Sequence, residues 1–62
     1  MNRKALLYRD YTYGGNKYFV IGRGLMKNPE TGKWKDCVIY QKMGNTFVRD
    51  EEDFINKFEL VL

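Results

Sequence analysis

Along the chain, apolar residues fall in short runs separated by breaks that contain glycine or asparagine. Tyr8 to Tyr13 alternates aromatic and polar residues over its last positions, the period of a half-buried strand. Gly14-Gly15-Asn16 is the first strong turn signal. Lys17 to Met26 predicts the next strand, centred on Tyr18-Phe19-Val20-Ile21. Phe19 and Ile21 share one face and Tyr18 and Val20 the other, so the pattern implies burial on two sides or a strand that curves. Gly22 and Gly24 fit curvature, because glycine inside a strand often marks a bulge or bend. Asn28-Pro29-Glu30-Thr31-Gly32-Lys33 is a second turn: proline presets φ, and Gly32 permits a left-handed exit.

Trp34 begins the next strand, which leads into the stretch around which the rest is organised, Asp36 to Phe54. Cys37 to Lys42 carries the β-favouring Val38, Ile39 and Tyr40, and Thr46-Phe47-Val48-Arg49 follows. A two-residue loop at Gly44-Asn45 sets Tyr40 opposite Arg49 and Lys42 opposite Phe47; a longer or bulged loop is the alternative. Asp50 then suits a helix N-cap, and Glu51, Glu52 and Asp53 fill a first turn where the helix dipole favours acids. Phe54, Ile55 and Phe58 lie on one helical face. Glu59 to Leu62 is a candidate terminal strand. No internal repeat, low-complexity segment or linker is present. The expectation is a mainly β protein, one small barrel or rolled sheet over residues 1–62, with about five strands and one short C-terminal helix.

Composition narrows the chemistry. A chain of 62 residues buries little core against roughly 1.5 kcal/mol of entropy per ordered residue. One cysteine excludes an intramolecular disulfide, and with no histidine a zinc site within one chain is not expected. The ten aromatic residues must then supply most of the core, and a surplus left exposed would suit a partner or a homodimer. The basic first residues lead into no long apolar stretch, which predicts no signal peptide and no membrane span; the lone thiol suits a reducing compartment, hence a cytoplasmic protein. Charge is uneven. Residues 1–35 carry eight Lys/Arg against two acids, a net +6, and residues 36–62 carry three against six, a net −3. That asymmetry suits either a nucleic-acid face or plain solubility.

The order of several short motifs resembles the small bacterial domain of unknown function 1653 family. These are Tyr8-Arg9-Asp10-Tyr11, Gly15, Tyr18 to Gly22, Glu30-Thr31-Gly32, Val38-Ile39-Tyr40, Val48-Arg49 and Phe54. The resemblance spans Tyr8 to Phe58 and rests on order and spacing rather than on any one motif. It implies an SH3-like β-roll in a cytoplasmic bacterial or phage protein, and no established activity. Asp10 stands where that family usually has histidine, Phe47 where tryptophan is common and Asp50 where proline is common; the turn at residues 12–16 looks longer.

Catalysis is hard to assemble from these residues. Histidine and serine are both missing, so the usual triads cannot form. Cys37 reads as a small core residue, and Asp50 to Asp53 as capping rather than cation ligation, because successive helical positions diverge. Gly22-Arg23-Gly24 lacks the spacing of a phosphate loop. No cofactor is expected and no metal site. Arg9 and Arg49 stand beside aromatics, where a guanidinium can bind a carboxylate or phosphate, stack on a ring, or pair with Asp10, Asp36 or Asp50. Tyr11, Tyr18 and Tyr40, like Tyr8 and Tyr13, offer rings for stacking bases or for the core. The expected function is a non-enzymatic protein-interaction or regulatory module whose candidate binding residues are Arg9, Tyr11, Tyr18, Tyr40 and Arg49. Nucleic-acid binding is one alternative, and binding of an anionic small ligand such as a nucleotide is the other.

Overall fold

The turn chemistry lays out the strands. The computed structural model describes residues 4–62; the expectation of a short turn or strand within Met1 to Arg9 falls partly outside them. Strands β1 (Asp10–Tyr13), β2 (Asn16–Lys27), β3 (Trp34–Lys42) and β4 (Asn45–Asp50) lead into helix α1 (Glu51–Lys57) and strand β5 (Glu59–Leu60). All pairings are antiparallel, in the order β4-β3-β2-β1-β5. The mainly β fold with five strands and one short helix is as the pattern predicts. The sheet is open: β4 and β5 are its edges.

Gly14-Gly15 forms a tight two-residue turn, both residues at positive φ, so this connection is not a long loop. The β3–β4 hairpin corrects the predicted register. Its turn is Met43-Gly44, with φ of 48° and 82°, and Lys42 faces Asn45. Tyr40 therefore lies opposite Phe47, not Arg49. Two successive positive φ angles match the right-handed twist of a hairpin, and one glycine suffices when an exposed methionine takes the first position. The slip is two residues, so every side chain keeps its expected face.

In β2 the register shifts between Val20 and Gly22, placing a bulge beside the first of the two strand glycines; Gly24 pairs regularly with Cys37. The second turn is held as its residues suggest. The Asn28 side chain accepts from the Glu30 amide, and Gly32 takes positive φ while donating to the Asn28 carbonyl. Asp50 caps α1 by accepting from the Asp53 amide at 3.0 Å. Phe58 closes the helix, donating its amide to the Phe54 carbonyl.

The core lies on one face of the sheet. Ala5, Tyr11, Val20, Val38, Tyr40, Phe54 and Phe58 are buried together, with Tyr18, Ile55 and Leu60 packed against them. Phe54 stacks on Phe58 at 4.0 Å between centroids and meets Tyr11 and Tyr40 edge-on or tilted at 5.0 and 5.2 Å. Ring-on-ring packing at these distances adds about 0.5–1.5 kcal/mol per pair to simple burial. That is how a short chain with a single cysteine fills one side of five strands. Cys37 is buried but belongs to the other face, beside Gly24.

Candidate functional site

Arg49 is the cation nearest the aromatic core. It projects from β4 on the helix side and lies over two rings, 5.3 Å from the Phe58 centroid and 5.7 Å from that of Tyr13. Its Nε donates to the Tyr40 hydroxyl at 3.1 Å, and an Nη donates to Asp53 Oδ2 at 2.7 Å. These bonds, Tyr40 first and then Asp53, raise the guanidinium pKa above its ordinary value. Lys57 contacts the other Asp53 oxygen at 3.2 Å. Arg49, then Lys57, holds the Asp53 carboxyl below the usual carboxylate range. A residue of β4 thus reaches Tyr13 of β1 across two intervening strands, which shows how far the sheet rolls around α1.

The other sequence-predicted binding residues do not converge with it on an open site. Tyr11 and Tyr40 are buried; the Tyr11 hydroxyl accepts from the Leu6 amide at 2.9 Å. Tyr18 is half-buried, edge-on to Tyr40, Phe47 and Phe58, with the Lys42 ammonium 6.0 Å from its ring. Arg9 is exposed ahead of β1, where its carbonyl accepts from the Val20 amide. Arg9 and Tyr13 flank opposite ends of β1, about 13 Å apart at 3.3 Å per residue, so Arg9 and Arg49 are not gathered together. The grooves lined by Trp34, by Pro29 and by Ile55 include neither arginine.

Three features escaped the sequence pattern. One is an ion pair at the core margin: Arg23 follows the bulge, shares the helix-side face with Val38, and meets the buried Glu51 at 3.0 Å. The bulge changes which face Arg23 occupies, so simple alternation does not find it.

The second is the sheet face away from α1. Cross-strand partners share a face, so Phe19, Gln41 and Thr46 form one row there, and Gly22, Ile39 and Val48 the next. Phe19 is 40% exposed and Val48 58%; the Tyr8 ring tilts against Phe19 at 6.4 Å. The signal for this face was the run Tyr18-Phe19-Val20-Ile21, apolar on both sides where α1 can cover only one.

The third is a two-stranded ribbon. Leu25, Met26 and Lys27 pair with Asp36, Lys35 and Trp34 beyond the reach of β1 and β4. Trp34 is 61% exposed, with the Lys27 ammonium 5.8 Å from its ring. Between this ribbon and the start of α1 runs an open groove of about 380 Å³, in which Lys4 and Lys35 stand among Asp36, Asp50, Glu51 and Glu52.

No family model, curated protein or solved structure matches this chain. Among the described residues no helix is long and apolar enough to cross a membrane, and no group of three or more His, Cys, Asp and Glu side chains is placed to hold a metal ion.

Proposed function

We propose that the chain is a small non-enzymatic protein-interaction module. The observation that carries this reading is the sheet face away from α1, where Phe19, Ile39 and Val48 present adjoining apolar side chains that the described residues leave partly open. Contiguous exposed apolar surface on a small protein marks a contact for another protein more often than chance scatter does. Arg49 and the tyrosine rings, which would serve a nucleic acid or an anionic ligand, are engaged with the core: Tyr11 and Tyr40 are buried, and Arg49 is bonded to Tyr40 and Asp53. An anionic ligand gripped by both arginines needs them in one pocket, and they flank opposite ends of β1. The resemblance to a family of SH3-like rolls agrees with a binding role and supplies no activity. A cytoplasmic setting of bacterial or phage origin belongs to the same proposal.

The test is selection of a random peptide library on the immobilised protein, counter-selected on a Phe19→Lys variant. Enrichment of apolar or aromatic peptides that bind the parent and not the variant supports the reading. Enrichment insensitive to Phe19→Lys, or none, overturns it.

A further inference from the structure

We infer that β4 pairs with β4 of a second copy, joining two sheets edge to edge. This rests on the interaction reading, because β4 borders the exposed face that carries Val48 and Ile39.

Backbone geometry provides the first argument. The two-residue turn at Met43-Gly44 makes Lys42 and Asn45 a pair that exchanges both hydrogen bonds. Alternation from there turns the backbone groups of Asn45, Phe47 and Arg49 toward β3, and those of Thr46, Val48 and Asp50 outward. Among the described residues β4 has a strand neighbour on one side only, so these outward groups form an open ladder. Helix α1 does not cover it, because Phe54 leads the helix over Tyr40 and Tyr11, toward the middle of the sheet. The edge carries few of the usual protections: its one inward-pointing charge, Arg49, is held against the core by Tyr40 and Asp53. β4 runs six residues without proline, lysine or bulge.

Register and charge point to a second copy as the occupant. A two-fold axis at Val48 sets Val48 against its twin and brings the Asp50 amide of each copy to the Thr46 carbonyl of the other, the Asp50 carbonyl being taken by the first turn of α1. On the helix side the same register sets Phe47, 39% exposed, opposite the other copy's Arg49, so no like charges meet there. Sliding by one step of the two-residue repeat either leaves Asp50 without a strand partner or sets Arg49 against Arg49; sliding further leaves both Val48 and Asp50 without one, or sets Asp50 against Asp50. Like charges directly opposite are unfavourable. The register centred on Val48 avoids such opposition and keeps every outward residue opposite a strand residue, and the chain is self-complementary in it. The other edge, β5, is two residues long, so pairing closes at two copies as an isologous contact.

The experiment is amide hydrogen exchange by NMR from micromolar to millimolar protein, with mass by light scattering at each concentration. The expected result is a doubling of the 7.4 kDa mass together with new protection at Val48 and Asp50, while Phe47 and Arg49 keep the protection that β3 gives them. Val48→Pro removes the amide at the axis without touching the β3 ladder, and should leave a monomer. Val48→Lys does the same by placing two ammonium groups face to face, and keeps the test intact should proline unfold the strand. A monomer at millimolar concentration, or a dimer protected elsewhere, overturns the inference. A monomer whose Val48 and Asp50 amides are protected only on adding a selected peptide overturns self-pairing and keeps the interaction reading; a monomer that selects no peptide overturns both.

Discussion

Met43 occupies the first central position of the β3–β4 turn at φ 48°, with Gly44 after it at 82°. The left-handed region costs an L-residue other than glycine, asparagine or aspartate roughly 1–2 kcal/mol. Asparagine offsets much of this through local hydrogen bonding, and Asn-Gly is the favoured pair for this turn. The Met43 side chain is 90% exposed, so removing it forfeits almost no burial. Met43→Asn should therefore stabilise the protein by about 0.5–1 kcal/mol, roughly half the left-handed cost. In a domain of about 60 residues that raises Tm by roughly 2–8 °C. Thermal unfolding followed by far-UV circular dichroism reads it. Trp34 fluorescence is a poor reporter, since that ring is already exposed. Met43→Val should shift Tm the other way, because a β-branched residue fits positive φ worst. Were the turn at Gly44-Asn45, as the residue pattern alone suggests, Met43 would lie in the strand and the two substitutions would reverse order. An unchanged or lowered Tm for Met43→Asn refutes the turn described here.

Other consequences follow from the helix and its partners. Glu51→Ala leaves Arg23, whose Nε already lacks a partner, without its carboxylate. Breaking a buried pair costs about 3–5 kcal/mol, and the partial exposure of Arg23 lowers this to about 2 kcal/mol, readable by urea unfolding. Arg23→Met with Glu51→Met should recover most of that loss. Phe54→Ala, at about 3–5 kcal/mol, removes the central ring of the core and should unfold much of the population, given a total stability of roughly 3–9 kcal/mol at this length. Asp53 has a folded pKa below its unfolded value, so its contribution is complete above about pH 4 and is lost as pH falls through the folded pKa. Carboxyl NMR titration should place Asp53 below the ordinary aspartate range, and Arg49→Gln should return it toward that range; a value unmoved by Arg49→Gln contradicts the pairing.

The residue types at turns and caps carried most of the fold. Gly14-Gly15, Asn28 to Lys33 and Asp50 act locally, through φ preference and side-chain capping, so adjacent sequence suffices to place the strands and the helix start. The hairpin register was misplaced because Met43 accepts a conformation its side chain disfavours, and the cost is met by pairing along the whole of β3. The fate of Arg49 was hidden for another reason. Its partners Tyr13, Tyr40 and Phe58 lie on β1, on β3 and at the end of α1, and only the roll of the sheet brings them together. Read along the chain, an arginine flanked by aromatic runs looks like a ligand site; rolled up, it caps the core. The exposed face of Phe19, Ile39 and Val48 depends likewise on long-range register, since its members come from three strands.

The division between core-facing rings and an open apolar face is tested most directly by following backbone amides of labelled protein through two titrations. One uses mixed oligonucleotides at low and moderate salt, and the other a selected apolar peptide. The account predicts a spectrum unmoved by oligonucleotide, and peptide-induced shifts confined to Phe19, Ile39, Val48 and their neighbours. Oligonucleotide shifts centred on Tyr18 and Arg49 that weaken with salt, as counterion release requires, would contradict it.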